Sequence, residues 1–394
     1  MQLLSDRILN MATSATLAMA AKARELRGEG KDIIGLSLGE PDFNTPDFIK
    51  EAAIQAINDN YNSYTPVDGY VELKEAVITK FKRDNNLTYT LPQIVVSTGA
   101  KQALANIAGV MLNKGDDVIL PCPYWVSYAD IVKLNDGVPI EVKTSIDTDF
   151  KMTASQLEAA ITPNTKMIWF SSPCNPSGSV YSKSELRALA DVLVKHPNIY
   201  VVSDEIYEHI NYGEGHTSIA EFDDMYDRTI TVNGVSKAFA MTGWRIGYIG
   251  APEKIARACT KMQGQITSGA NCIAQRAAIT AVLAPVSKIQ YMVDEFKVRR
   301  DLILGLLNDI EGFKSNTPEG AFYVFPNVSY YFGKTLRGKK INNATDFSLY
   351  LLEEALVATV TGEAFGNPDC IRISYAASQE QIIEAIKRIK DAVS

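Results

Sequence analysis

The strongest constraint on the fold is an alternation of short apolar runs with helical segments between about residues 70 and 285. Helical periodicity covers residues 71–83 and 101–112. The apolar runs have the length of buried strands and lie at residues 94–97, 118–120, 167–170, 199–203, 229–232 and 246–249. Short apolar strands separated by helices predict an α/β fold with a mostly parallel sheet covered on both faces. In such sheets, ligands bind beyond the carboxyl ends of the strands.

The pattern changes near residue 285, which divides the chain into unequal parts. A long helical stretch, a polar loop, apolar runs at residues 321–325, 357–360 and 370–374, and a terminal helix follow. They predict a smaller α+β domain over residues 286–394, beside a large ligand-binding domain over residues 46–285. Residues 1–45 contain one predicted helix, at residues 15–26, and too little else for a core. We expect an arm that forms part of the small domain and packs there or against a partner subunit.

Composition excludes several classes of partner. The 394 residues carry a net charge of −7, so no basic field is available to hold nucleic acid or an anionic membrane. No signal peptide and no apolar run of about 18 residues is present, and we expect a cytoplasmic protein. The five cysteines and three histidines are scattered, without the spacing of a redox motif or a metal site. We therefore expect reduced thiols, structural or surface histidines, and no metal.

The segment that follows the run at residues 229–232 carries the most specific chemistry. An Asn-Gly pair ends the strand, and Ser236, Lys237 and Arg245 come next. Small and apolar neighbours would bury the Lys237 side chain and depress its pKa, and only a neutral amine attacks a carbonyl. Ser236 and the planar guanidinium of Arg245 suit a phosphate ester. A solvated lysine is the alternative for Lys237 alone, but the group as a whole indicates a pyridoxal-phosphate site.

Two further motifs lie where predicted strands end. Gly99, Ala100 and Lys101 open a helix directly after a strand, and such a turn presents unpaired amides to an anion. An ordinary strand-to-helix turn is the alternative. Asn175 lies in a turn made rigid by two prolines and a glycine, which would project its amide, although asparagine also forms turns without any further role.

Four more side chains have the properties of ligand-binding groups. Asp204 ends a buried strand, where a carboxylate is costly unless a cation such as a protonated pyridine pairs with it, and Tyr207 follows three residues later. The alternative for Asp204 is a helix cap. Trp125 offers a flat face for stacking or for core packing. Arg372 alternates with apolar residues on a strand, and a substrate carboxylate would be a suitable partner for it.

In this order the motifs resemble a known family over nearly the whole chain, from about residue 10 to the C-terminus. The matching segments are Gly39-Glu-Pro-Asp-Phe, Tyr64-Thr-Pro, Pro123-Tyr-Trp-Val-Ser-Tyr, Asn175-Pro-Ser-Gly, Asp204-Glu-Ile-Tyr, the stretch from Ser236 to Tyr248, and Arg372. They resemble the class I aminotransferases of pyridoxal-phosphate fold type I, most closely the bacterial aspartate aminotransferases. The resemblance implies a large domain built on a seven-stranded-type sheet, pyridoxal phosphate as cofactor, and a homodimer with shared active sites.

The resemblance also implies a role for each site residue. The catalytic residues would be Lys237, which forms the Schiff base and acts as general base, Asp204, which pairs with the pyridine nitrogen, and Tyr207. Asn175 and Tyr207 would hydrogen-bond the ring 3-oxygen, and Trp125 would stack on the ring. The phosphate region would be bound by Gly99, Ala100, Lys101, Ser236 and Arg245, together with Tyr64 of the partner subunit. The substrate α-carboxylate would be clamped by Arg372, in a pocket that also includes Gly39, Trp125, Asn175 and Lys101.

The expected substrates follow from one departure from the family pattern. One subgroup of the family reads the distal carboxylate of the substrate with an arginine of the partner subunit. That arginine would be expected in residues 263–271, which contain no arginine here. Lys101, with Ser14 and Thr16 nearby, resembles the bacterial solution, although Lys101 could instead assist the phosphate or face solvent. We expect amino transfer from L-aspartate to 2-oxoglutarate, giving oxaloacetate and L-glutamate. The alternative is a broader aminotransferase acting on prephenate and glutamate or on aromatic amino acids, and other reactions of the fold share most of these residues.

Overall fold

A computed structural model describes residues 3–9, 11 and 14–394. The helices are α1 Asp6–Leu9, α2 Ala15–Gly28, α3 Asp47–Asn58, α4 Val71–Asn85, α5 Gly99–Met111, α6 Ser127–Leu134, α7 Ala154–Ala160, α8 Lys183–Val194, α9 Asp223–Tyr226, α10 Glu253–Ile266, α11 Cys272–Leu283, α12 Gln290–Asn308, α13 Ala344–Tyr350 and α14 Gln379–Val393. The strands are β1 Ile34–Gly35, β2 Ile94–Ser97, β3 Asp117–Cys122, β4 Val138–Lys143, β5 Thr165–Ser171, β6 Tyr200–Asp204, β7 Thr229–Gly234, β8 Gly247–Gly250, β9 Tyr323–Val324, β10 Thr335–Leu336, β11 Lys339–Lys340, β12 Val357–Ala358, β13 Val360–Thr361 and β14 Ile371–Ser374.

Seven strands form the central sheet, in the order β2-β8-β7-β6-β5-β3-β4. The pairs from β4 through β7 are parallel, whereas β8 runs antiparallel to both of its neighbours. The prediction of a mostly parallel sheet is therefore confirmed, with one reversed strand. The reversal has a simple cause: no crossover helix lies between β7 and β8, and a strand that returns without a crossover must pair antiparallel.

Apart from the partly exposed edge strand β4, the sheet is buried on both faces, as the continuous apolar runs predicted. Alternate residues of each strand enter two different cores. Val118 and Trp169 pack in one core with α5, α6 and α10, while Ile119 and Ile168 pack in the other with α7 and α8. This period of two follows from the pleat of the strands. The sheet is thereby held rigid, so the loops at its carboxyl edge have fixed starting points.

The C-terminal part of the chain builds smaller sheets. β13, β14 and β9 form an antiparallel sheet, and β1 pairs with β12 in parallel. α12 packs against α14, and α2 packs against β12 and β13. α13 continues directly into a π turn at Leu351–Ala355. The domain boundaries at residues 45 and 285 remain a prediction.

Two further properties bear on the earlier expectations. All five cysteines are free thiols, and four of them are buried. Among the described helices, none is both long enough and apolar enough to cross a bilayer.

Candidate active site

A cavity of about 310 Å³ opens at the carboxyl edge of the central sheet. It brings together eleven of the thirteen residues singled out in the sequence, namely Gly39, Ala100, Lys101, Trp125, Asn175, Asp204, Tyr207, Ser236, Lys237, Arg245 and Arg372. Gly99 lies directly behind this lining, against the Arg245 guanidinium. Tyr64 is outside the cavity, and 97% of its surface is exposed on this single chain.

Lys237 lies in the loop that follows β7, with its amine opening into the cavity. Val235, Ala238 and Phe239 are buried around it, as the apolar sequence predicted. The Lys237 Nζ donates a hydrogen bond to the Gly39 carbonyl oxygen at 2.6 Å. Burial is the main cause that lowers the Lys237 pKa to about 8; the positive charge of Arg372 acts in the same direction, and the negative charge of Glu40 opposes it. The neutral, nucleophilic form of the amine is therefore far more accessible than in an exposed lysine.

Asp204 is the last residue of β6, and its carboxylate is buried at the cavity wall. The Tyr128 hydroxyl donates to its Oδ2 at 2.6 Å, and the Ile206 amide donates to its Oδ1 at 3.3 Å. Burial raises the Asp204 pKa to about 6, while these two hydrogen bonds oppose the increase. Within the described chain, this carboxylate makes no ion pair. It is therefore placed to gain from a cation that enters the cavity.

One corner of the cavity has the features of an anion site. α5 begins at Gly99, so the first amides of the helix, at Gly99, Ala100 and Lys101, have no partner within the helix. The Arg245 guanidinium lies against Gly99, where a Cβ would come within 2.4 Å of its Nη2 atom. Gly99 also has a φ of +78°, which favours glycine. Ser236 adds a hydroxyl to the same cavity, so helix amides, a guanidinium and a hydroxyl can converge on a phosphate.

Lys101 and Trp125 lie together in the lining of the cavity. The Lys101 Nζ is 4.8 Å from the centre of the Trp125 ring, a distance at which a cation is attracted to an aromatic face. Burial and the nearby Arg245 both lower the Lys101 pKa. Ser14 and Thr16 line the cavity too, and the Thr16 hydroxyl oxygen is buried without a hydrogen-bond partner in the described residues.

Arg372, on β14, reaches the cavity from the small C-terminal sheet and is only 2% exposed. Its Nη1 donates to Asn175 Oδ1 at 3.0 Å and its Nη2 donates to the Ser37 carbonyl oxygen at 2.6 Å. Over the part of the chain that the structure describes, Nε has no partner and the guanidinium forms no salt bridge. Since Asn175 uses its oxygen for Arg372, its NH₂ group remains as a donor. Arg372 is a buried cation without an anion.

Two tyrosines of the site were not assigned roles from the sequence. Tyr128 holds Asp204, and Tyr323 bonds to Tyr207 with 2.7 Å between the two hydroxyl oxygens. The segment at residues 321–325 was predicted as a strand, and the motif at residues 123–128 was noted, but neither pattern shows which hydroxyl meets which partner.

Two of the three histidines, His209 and His216, lie in a buried network with Glu205 and Glu208, and none of the three lines the cavity. Glu208 bonds to the Lys80 ammonium and accepts from the Asn85 amide at 2.8 Å, while His216 Nε2 lies 3.1 Å from Glu205. Burial lowers the pKa of His209, and the Glu205 carboxylate raises the pKa of His216 against the opposing effect of burial. Because a lysine already neutralises Glu208, this network is held by internal ion pairs. The expectation of no metal stays a prediction.

Comparison with known proteins identifies the family of the chain. The family model described as "Aminotransferase class I and II" matches residues 31–389. The chain belongs to this family. The aminotransferase is 48% identical, over 99% of its own chain and 98% of the relative, to the probable aspartate/prephenate aminotransferase of Rhizobium leguminosarum bv. phaseoli. The same identity and coverage relate it to the aspartate/prephenate aminotransferase of Cereibacter sphaeroides.

Solved structures give the same result. The aminotransferase is similar to the aspartate aminotransferase of Rhizobium meliloti, with a TM-score of 0.96, 44% identity, and coverage of 100% of this chain and 99% of that one. It is also similar to the aspartate aminotransferase of Thermus thermophilus with maleate, with a TM-score of 0.94, 40% identity and full coverage of both chains. The predicted pyridoxal-phosphate fold type I is therefore confirmed.

Proposed function

We propose that this aminotransferase uses pyridoxal phosphate to transfer the amino group of L-aspartate to 2-oxoglutarate, giving oxaloacetate and L-glutamate. The observation that carries the proposal is the presence, in one cavity, of a lysine amine with a lowered pKa and a buried arginine that lacks an anion. The amine suits a carbonyl cofactor, and the arginine suits the α-carboxylate that every amino acid and 2-oxo acid substrate carries.

The residues of the cavity fit pyridoxal phosphate. Lys237 would attach to it, Asp204 would pair with its pyridine nitrogen, and the anion corner at Gly99 and Arg245 would hold its phosphate. Asn175 and Tyr207 would bond its ring oxygen, with Trp125 against its face. When bound, the cofactor supplies an electrophilic carbon for the substrate amine and an electron-poor ring that accepts the electron pair from the substrate Cα.

Side chains of the protein orient the substrate and remove its α-proton. Arg372 orients the α-carboxylate through two parallel hydrogen bonds, which fixes the bond to the α-hydrogen relative to Lys237. Once the substrate amine has displaced Lys237 from the cofactor, the freed Lys237 Nζ would remove the proton from Cα as general base, a role that its lowered pKa favours.

The cofactor assignment is tested by absorbance. Protein incubated with pyridoxal phosphate should show a visible band, and Lys237→Ala should abolish the band without changing the far-ultraviolet circular dichroism. Asp204→Ala should lower kcat much more than it lowers cofactor affinity, because its charge acts on the ring during the reaction. A Lys237→Ala variant with undiminished transaminase activity would disprove this role.

The preference for dicarboxylates rests on Lys101. Lys101 and Thr16, whose hydroxyl has no partner among the described residues, line the same cavity as Arg372, so a second carboxylate could be met there while Arg372 holds the first. A charge-assisted contact of this kind contributes about 1.5–3 kcal/mol, or roughly a ten- to hundredfold preference over an apolar side chain. The relatives named for both aspartate and prephenate support a second candidate substrate, since prephenate also carries two carboxylates.

Comparison of kcat/KM for aspartate, alanine, phenylalanine and prephenate in wild type and Lys101→Ala tests this assignment. Lys101→Ala should reduce turnover of aspartate and prephenate by roughly ten- to hundredfold and leave alanine nearly unchanged. Lys114→Ala, which removes an exposed lysine just beyond α5, is the matched control. Equal losses for aspartate and alanine would show that Lys101 does not read the distal carboxylate.

Shared active sites in a homodimer are the third part of the proposal. Tyr64 is almost fully exposed on the single chain and does not line its own cavity. This exposure supports a contribution of Tyr64 to the active site of the neighbouring subunit. Co-expression of Tyr64→Ala with Lys237→Ala should restore activity, because one site of the mixed dimer regains both side chains. Two inactive parents whose mixture stays inactive, although mixed dimers form, would contradict the arrangement.

A further inference from the structure

Tyr323 is a cavity residue for which the reaction outlined above has no use. It lies on β9, its side chain is fully buried within the protein, and it lines the cavity. Its hydroxyl bonds to the Tyr207 hydroxyl, with 2.7 Å between the oxygens. Its ring lies against Arg372, with the guanidinium carbon 4.6 Å from the ring centre. One side chain therefore contacts both the expected carboxylate clamp and the expected ring-oxygen donor.

The bond between the two hydroxyls has a direction that matters. Either hydroxyl can donate, but each has only one proton. If Tyr207 donated to Tyr323, it would have no proton left for the cofactor ring oxygen. If Tyr323 donates, Tyr207 keeps its proton for that oxygen and becomes a stronger donor through polarisation along the chain of hydrogen bonds.

The surroundings of Tyr323 keep its hydroxyl in this place. A Cβ on Gly39 would come within 2.6 Å of the Tyr323 hydroxyl oxygen, so the backbone at Gly39 packs directly against it. The same Gly39 carbonyl accepts the hydrogen bond from the Lys237 amine. The Tyr323 ring is also held by edge contact with Tyr207 and by its neighbour Phe322. These contacts hold the Tyr323 hydroxyl oxygen beside the Tyr207 hydroxyl.

We propose that Tyr323 is a positioning residue of the reaction, whose hydroxyl donates to Tyr207 and directs the Tyr207 proton to the cofactor ring oxygen, while its ring supports the Arg372 guanidinium. The proposal rests on the proposed function, since it assumes pyridoxal phosphate in the cavity. It assigns two separable effects to one side chain: the hydroxyl acts on the cofactor, and the ring acts on the substrate carboxylate.

Tyr323→Phe tests the hydroxyl, because it removes one oxygen and keeps the ring. The readout is the pH midpoint at which the visible band of the lysine-bound cofactor titrates, measured by absorbance without substrate. Tyr207 donates to the deprotonated ring oxygen and stabilises it, so weaker donation should raise the midpoint, by roughly 0.3–0.5 pH units. The kcat for aspartate should fall roughly threefold, with KM changed less than twofold.

Tyr375→Phe is the matched control. Tyr375 is also fully buried, and its hydroxyl contacts the Tyr212 hydroxyl at 3.3 Å, but it does not line the cavity. The two substitutions remove the same atom from similar pairs, and only Tyr323→Phe should move the titration midpoint. Equal midpoints in Tyr323→Phe and wild type would overturn the role of the hydroxyl, as would an equal shift in Tyr375→Phe.

Tyr207→Phe keeps the proposal falsifiable if Tyr323→Phe folds poorly, because it leaves Tyr323 in place and should itself raise the midpoint. Tyr207→Phe should raise the midpoint at least as much as Tyr323→Phe, and adding Tyr323→Phe to it should give no further shift. Additive shifts, or an unchanged midpoint in Tyr207→Phe, would overturn the proposal. Tyr323→Leu should raise KM for aspartate and alanine alike by roughly three- to tenfold, because the ring under Arg372 is lost. An unchanged KM would overturn the role of the ring.

The experiment also separates this inference from the proposed function. A wild-type protein that gives no visible band with pyridoxal phosphate would refute the proposed function itself. A wild-type band that titrates normally, together with an identical titration in Tyr323→Phe, would refute the inference alone.

Discussion

Replacement of Arg372 by methionine should lower the activity strongly while it leaves the stability of the protein nearly unchanged. In the folded chain, the buried guanidinium bonds only to Asn175 and the Ser37 carbonyl, with no counter-ion among the described residues. Its benefit arises when a substrate carboxylate enters. Breaking a buried ion pair costs about 3–5 kcal/mol, so kcat/KM for aspartate should fall roughly 150- to 5,000-fold.

The stability of the cofactor-free protein should respond differently. Arg372→Met removes two hydrogen bonds but also relieves an uncompensated buried charge, and these effects nearly offset each other. The midpoint of thermal unfolding should therefore change by less than about 3 °C. Arg372→Lys, which keeps the charge but loses the planar fork, should give an intermediate loss of activity.

Steady-state kinetics with aspartate and alanine decide whether this reasoning holds. Both substrates carry the α-carboxylate, so Arg372→Met should reduce kcat/KM for both by the same factor. A loss confined to aspartate would mean that Arg372 reads the distal carboxylate instead. A large fall in unfolding temperature with little loss of activity would mean that the arginine is structural.

Three other predictions follow from the site. In cofactor-free protein, Lys237→Met should raise the free energy of unfolding most below about pH 8, and this gain should disappear toward pH 10.5. The reason is that folding depresses the Lys237 pKa from 10.5 to about 8, so the charged amine destabilises the folded protein only at lower pH. Denaturant titrations across this pH range measure the free energy of unfolding. Tyr128→Phe removes a hydrogen bond to the Asp204 carboxylate and should therefore raise the Asp204 pKa above about 6. Pyridoxal-phosphate binding should weaken roughly tenfold, and the loss should grow as the pH falls; spectrophotometric titrations at two pH values measure it. Gly99→Ala should weaken cofactor binding at least tenfold, because the added Cβ displaces the Arg245 guanidinium. Gly115→Ala is the control: Gly115 has a similar positive φ but open space around it, so the affinity for the cofactor should not change.

Much of the site could be predicted from the sequence because its motifs lie at strand ends. Asp204 ends β6 and Lys237 follows β7, and parallel neighbours deliver their carboxyl ends to the same edge of a sheet. Arg372 was recognised by a different signal, a charge alternating with apolar residues on a strand. In each case, chain order and strand direction were enough to place the residue near the cavity.

The remainder could not be predicted because it depends on contacts between distant segments. Tyr128 and Asp204 are 76 residues apart, and Tyr207 and Tyr323 are 116 residues apart. Strand alternation indicates that such side chains are buried but does not identify their hydrogen-bond partners. The reversed direction of β8 was also missed, because its apolar run looks like those of the parallel strands. The missing helix before it was the available signal.

The reversed β8 also has a consequence for the order in which the protein can fold. The strands from β3 to β7 pair with neighbours close to them in sequence, so this part of the sheet can form while the chain is still being made. β2 is synthesised before all of them, yet it lies at the sheet edge and joins through β8, at Gly247–Gly250. Until then its apolar residues lack their partner and are exposed to misassembly. The corner at Gly99 that would hold the cofactor phosphate begins where β2 ends, so it is completed late. A nascent chain would therefore acquire its capacity for the cofactor only after β8 has been synthesised.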